Sequence, residues 1–299
     1  MRLLLALLLV FAPFAVAARA PDEMVEIEAG TAVTVRPDRA YILFRRVRPE
    51  GVLSVEPIFM RIPSAAEMAR YTAARRQAWA KAEPGLLRHR AAQLRRKAEA
   101  EAAGRPYNGE IPPEPSFETF EFVWDEVANV RRVDTDRAFA RAPGENTYLV
   151  EILPGDFVLY GASYGSAAVK PSLFACMCLG TVGFQAPAGV ITDLGYFMGD
   201  RADKLSKIPE LKDETGLGSG SVAIHAPLAA TVRPVRSDSP LPAGIPASSV
   251  RPARYRAVGR FVDPRAITIA RLAAVPGILA YEGRRVIDVQ MGTDAKGSH

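Results

Sequence analysis

Between residues 147 and 197, short β-prone runs alternate with turn signals. The runs cover 148–153, 157–160, 173–184 and 190–194, and Pro154-Gly155, Gly161, Gly165 and Pro187-Ala188-Gly189 punctuate them. Strands of this length bounded by glycine and proline predict an antiparallel meander or one half of a sandwich. Upstream, 25–27, 32–35, 40–45, 52–55 and 58–62 repeat the pattern, with polar and charged residues interleaved as a one-sided sheet requires. Downstream, 256–262, 267–269, 278–281 and 286–289 read as further strands, and the residues after Gln290 as a frayed tail.

One segment breaks this rhythm. Residues 64–103 are almost all good helix formers, rich in alanine, and Ser64 with Glu67 forms a capping box. Pro84-Gly85 interrupts the run, which predicts two helices, about 65–83 and 86–103, as a hairpin or one kinked rod. The apolar stripes are thin: Met68, Tyr71 or Thr72, Trp79 and Ala82, then Leu87, Ala91, Leu94 and Ala98. Such an element packs by one edge and leaves the rest in water. Pro106, Pro112, Pro113 and Pro115 mark residues 105–117 as a linker without a core of its own, and 233–252 reads as an extended surface connection. The expected fold is mainly β, an antiparallel sandwich-like core with an inserted helical hairpin at about 64–104. The chain divides into a signal peptide (1–17), N-terminal strands (18–63), the helical arm (64–104), a main β domain (105–292) and a tail (293–299).

The start of the chain changes the cellular picture. Arg2 precedes an apolar run at 3–16, and Ala15-Val16-Ala17 is a small-x-small cleavage site. This predicts a cleaved Sec-type signal peptide, hence export to the periplasm or the cell exterior. The run of about 14 residues falls short of the roughly 20 that a membrane-spanning helix needs. Residues 171–192 carry no charge, but Gly180, Gly183, Pro187 and Gly189 favour two buried strands over a second span. No transmembrane span is expected after cleavage. A hydrophobic fraction of 48% is ample for a core, and 38 Lys and Arg against 33 Asp and Glu is only a mild basic bias. Two cysteines exclude a disulfide scaffold.

Gly161-Ala162-Ser163-Tyr164-Gly165 matches the nucleophile elbow of serine hydrolases, and His225 follows in the expected order. An elbow requires a strand, a strained turn and a long helix, whereas Pro171 follows within a few residues, so a glycine-rich β-turn is the plainer reading. Cys176-Met177-Cys178 permits three readings: small apolar thiols facing a core, a C-x-C disulfide, or half of a soft-metal site. His89 sits among arginines on the helical segment, and neither it nor His225 has a partner visible in the sequence. The glycines at 216–220 lack the lysine and helix of a phosphate loop. The charge feature that stands out is the helical segment itself. Arg88, Arg95 and Arg96, with Trp79 near its apolar edge, suit an anionic lipid or polysaccharide surface. Nucleic acid is not an expected partner of an exported chain.

The unit from Tyr148 through Pro154-Gly155 to Leu159 resembles the strand, Pro-Gly, strand element of small bacterial envelope β-sandwiches, the PEGA-like and transthyretin-like modules. Gln185-Ala186-Pro187-Ala188-Gly189-Val190 is similar in outline. The resemblance implies a binding or structural module of the cell envelope without catalysis. No cofactor is expected. The expected function is therefore an exported, non-catalytic protein that meets an envelope component or a protein partner. The alternatives are a hydrolase using Ser163 and His225, and soft-metal binding through Cys176 and Cys178.

Overall fold

The computed structural model describes residues 24–47, 54–124, 129–166, 169–202, 204–212, 228–235, 239–263, 266 and 268–297. The expected signal peptide, His225, His299 and residues 216–220 lie outside these. In chain order the strands are β1 (Val25–Ile27), β2 (Ala40–Val47) and β3 (Ser54–Arg61). After helix α1 (Ala65–Ala102) come β4 (Val130–Arg132), β5 (Ala140–Ala142), β6 (Glu145–Ile152), β7 (Gly155–Ser166) and β8 (Val169–Cys176). Then follow β9 (Thr181–Ala186), β10 (Ile191–Arg201), β11 (Leu228–Arg233), β12 (Val250–Pro252), β13 (Arg256–Val258), β14 (Leu279–Glu282), β15 (Arg285–Asp288) and β16 (Thr293–Asp294).

Two sheets make the body. The first has the order β1-β6-β2-β10-β11, with β5 on β6 and β12 on β10; the second has the order β13-β9-β7-β3-β4, with β8 on β7. A small third sheet joins β14, β15 and β16. Most pairs are antiparallel, but β10 runs parallel to both β2 and β12. The expected mainly-β fold is the observed one. The N-terminal strands are not a separate layer, since β2 lies between β6 and β10 and β3 lies between β7 and β4.

Alternation along each strand builds the core. Ala40, Ile42 and Phe44 of β2, with Tyr148, Val150 and Ile152 of β6, face the second sheet and meet Phe59, Phe157, Leu159 and Phe184. Phe44 stacks on Tyr148 at 5.0 Å between ring centroids, and Phe157 stacks on Phe184 at 5.7 Å. Phe59 is set edge-on to Phe44 and Phe184, the offset that ring quadrupoles prefer. The opposite face of the first sheet is buried too. Tyr41, Leu43 and Leu149 pack beneath Phe139, Ile245, Val33, Val35, Leu241 and Val250. Residues 32–35 are therefore an irregular cover instead of a strand, and the proline-rich 239–250 stretch is a lid on the sheet. Its prolines cannot continue a ladder, but its apolar side chains still have a face to cover.

β10 carries a bulge between Asp193 and Tyr196. Gly195 has φ +75°, and a Cβ there would strike the backbone of Arg233 and Val235, so glycine alone fits. The bulge turns Asp193 inward, where it accepts the Gly195 N–H at 2.9 Å and a bidentate pair of bonds from Arg45 at 2.8 and 3.1 Å. Both side chains are at most 3% exposed.

Two further expectations are revised. α1 is one continuous helix of 38 residues with Pro84 inside it, not a hairpin. The carbonyl of Ala80, which loses its donor at Pro84, lies on an exposed stretch where water can bind it. The tail is not frayed through residue 297: Thr293–Asp294 pairs with β15, and the Gly259 N–H donates to the Lys296 carbonyl at 2.8 Å.

Candidate functional site

α1 buries no residue of its own in the sandwich. At 1.5 Å per residue it is about 57 Å long. Its root is fastened twice. The Ser64 Oγ accepts the Glu67 N–H at 3.2 Å, and Glu67 Oε2 accepts the Ser64 N–H at 2.7 Å, the reciprocal bonds of a capping box. The guanidinium of Arg61, at the end of β3, donates to both Glu67 oxygens at 2.9 and 2.7 Å. That bond holds the Glu67 carboxyl down at about 2.

Residues 105–124, with 105–117 expected as a linker without a core of its own, return along the helix as an extended strap. Each proline forces the residue before it into extended geometry, which suits a strap and precludes a second helix. Tyr107 donates to Gln93 Oε1 at 3.0 Å, and Arg90 Nε donates to the Pro112 carbonyl at 3.3 Å. Arg75 lies over the Phe117 ring at 4.4 Å and donates to the carbonyls of Phe117 and Phe120 at 2.6 and 2.9 Å. Trp79 packs edge-on against Phe117 and Phe120, and Tyr71 against Phe122 and Trp124. These contacts fall on both sides of Pro84 and splint the helix across it. The predicted helix–helix hairpin is thus a helix–strap hairpin. The signal that could have shown it is the spacing of Phe117, Phe120, Phe122 and Trp124 opposite Tyr71 and Trp79.

The strap also sorts the predicted contact residues. Trp79 faces the strap and is half-buried there, so it is not at the outer surface. Arg88, Arg95 and Arg96 are exposed. With Arg70, Arg76 and Lys81 they make no ion pair or hydrogen bond among the described residues, whereas Lys97 is paired with Glu101 at 3.7 Å.

The remaining candidates lie in the sandwich. Ser163 is inside β7, paired in register with Glu56 of β3 and Phe174 of β8, and is 3% exposed. A serine enclosed between two strands has none of the strand-to-helix turn that exposes an elbow nucleophile. Cys176 and Cys178 are joined as a disulfide with Cα atoms 5.2 Å apart, at the end of β8. Both are buried, and Phe261 and the chain at 268–270 lie against them: Cys176 exchanges backbone bonds with Thr268 and Ala270, and Phe261 donates to the Cys178 carbonyl. Bonded sulfurs offer no thiolate to a soft metal. His89 is exposed on the helix. Among the described residues no group of three His, Cys, Asp or Glu is placed to hold a metal ion, and no helix is long and apolar enough to cross a membrane.

Between the sheets, Phe44, Phe59, Leu159, Phe184, Leu194, Tyr196, Phe197, Val232 and Tyr255 line a void of about 10 Å³. That is at the threshold for one water molecule, and the lining is apolar. Tyr255 is fully buried there; burial pushes its phenol up, and it donates to the Leu194 carbonyl at 2.8 Å. The void is a packing remnant, not a substrate pocket.

Fold and arm together define a β-sandwich that displays a stiff, basic, self-strapped helix. No protein-family model, curated protein or solved structure matches the chain.

Proposed function

We propose that this chain is an exported, non-catalytic protein of the cell envelope whose arm is a contact surface for an anionic envelope component. The observation that carries this reading is the set of cations Arg70, Lys81, Arg88, Arg95 and Arg96, unpaired among the described residues, on an element that buries nothing in the sandwich. A 38-residue helix held out from the core adds little to the sandwich interior, and uncompensated like charges along it repel one another. Contact with an anionic surface relieves that repulsion. The apolar run at 3–16 and the small-x-small site Ala15-Val16-Ala17 support the export part of this reading.

The test is co-sedimentation of the mature protein with its native cell envelope at low and high salt, for the natural chain and for R88E/R95E/R96E. Binding that high salt releases and the charge reversal abolishes is the expected result, because exposed charges are screened within about 10 Å at 0.1 M salt. Equal binding by the reversed variant would remove the arm from the reading.

A further inference from the structure

We infer that the arm's partner is the headgroup region of an anionic phospholipid bilayer, on which the helix lies flat through Leu87 and Leu94. This rests on the reading of the arm as an anionic contact surface and names what that surface is.

Among the described residues, the strap covers one side of α1, through Tyr71, Trp79 and Gln93, and leaves another side bare. On the bare side Ala66, Ala73, Ala80, Leu87 and Leu94 recur at heptad spacing, and all are exposed. Leu87 and Leu94 are 47% and 39% exposed, with Ala91 and Ala98 beside them in the open. Arg70, Lys81, Arg88 and Arg95 follow one edge of this stripe at helical spacing. The strap's acids lie away from this row: Glu110, Glu114, Glu118 and Glu121 are exposed on the strap, while Glu67 is bound by Arg61. On the helix, Glu101 follows Leu94 by one heptad and is paired with Lys97, Glu83 flanks the stripe, and Glu99 follows Arg95 by one turn, so the cations keep the majority on this side. The bare side therefore joins an apolar ridge to a basic row.

Charge complementarity selects the occupant. A second copy is disfavoured. Antiparallel pairing through this stripe sets the basic row against itself, and parallel pairing sets it against an edge of Arg76, Glu83, Arg90 and Lys97, three of its four residues cationic. A soluble polyanion would satisfy the arginines and leave Leu87 and Leu94 in water. A bilayer boundary takes both: the leucines enter the upper acyl region, while Arg88 and Arg95 lay their stems along it and keep their guanidiniums at the phosphates.

The test is flotation of the mature protein with phosphatidylcholine vesicles, with and without phosphatidylglycerol, and light scattering of the protein alone. The natural chain should bind only the anionic vesicles. R88Q/R95Q should weaken that binding about thirtyfold, at roughly fivefold per basic residue. L87S/L94S should weaken it at least about tenfold, since two exposed leucines lose their apolar contact without disturbing a core. Binding to anionic vesicles that L87S/L94S leaves intact and high salt fully releases would overturn apolar docking. A dimer that L87S/L94S dissociates would overturn it in favour of a second copy. Native envelope bound while anionic vesicles are ignored would overturn the lipid assignment and leave the basic-arm reading standing; failure with both would end both.

Discussion

Replacing Glu67 by Gln tests whether the arm is held at its root by one charged contact. The Glu67 carboxyl titrates at about 2 against an ordinary 4.5, and the Arg61 guanidinium is the main cause. At 1.36 kcal/mol per pH unit, the shift corresponds to about 3 kcal/mol of preference for the charged, folded form. Both side chains lie near the surface, at 10% and 14% exposure, so solvent screening reduces this to about 2 kcal/mol. Glutamine keeps the shape and an acceptor for the Ser64 N–H but removes the charge that Arg61 binds. Because the folded pKa is depressed, the contribution is complete above about pH 4.5 and is lost as pH falls toward 2. Hydrogen exchange of the first helical turns, with urea unfolding at pH 7 and pH 3, reads the effect. E67Q should exchange faster than the natural chain at pH 7, and the difference should shrink at pH 3. Equal protection at pH 7, or a difference indifferent to pH, would refute the argument.

The buried pair predicts a different signature. R45M leaves the Asp193 carboxylate unpaired at 3% exposure and should cost about 3–5 kcal/mol in urea unfolding, whereas R45M/D193N, which keeps an acceptor for the Gly195 N–H, should recover much of it. A double variant no more stable than the single would contradict the charge account. P84A restores a helical N–H opposite the Ala80 carbonyl and should raise exchange protection in the arm by up to about 3 kcal/mol without changing the sandwich. Unchanged protection would mean that the strap already sets the arm's stability.

Much of the fold is legible in the sequence because its signals are local. The capping box at Ser64 and Glu67 needs four consecutive residues, and the observed helix begins there. The alternation in 40–45 and 148–153 names β2 and β6, and Pro154-Gly155 marks the turn into β7. Gly195 is also visible as a residue, but not as a bulge, because its necessity comes from the approach of Arg233 and Val235, far along the chain.

What the sequence by itself determined is the mainly-β body, the helical insert and its basic character, each written in periodicity and composition. Tertiary structure decided the rest. Pro84-Gly85 carries a local instruction to break, which loses to a strap whose contacts span it. Trp79 reads as an outer apolar edge until Phe117 and Phe120 cover it, and that coverage is what makes Leu87 and Leu94 the bare ridge. The choice between thiols and a disulfide at Cys176 and Cys178 likewise depended on the backbone bringing them within bonding distance at the end of β8. Periodicity records which side of an element is apolar; only the partner that arrives from elsewhere in the chain decides which apolar side is filled and which is left open.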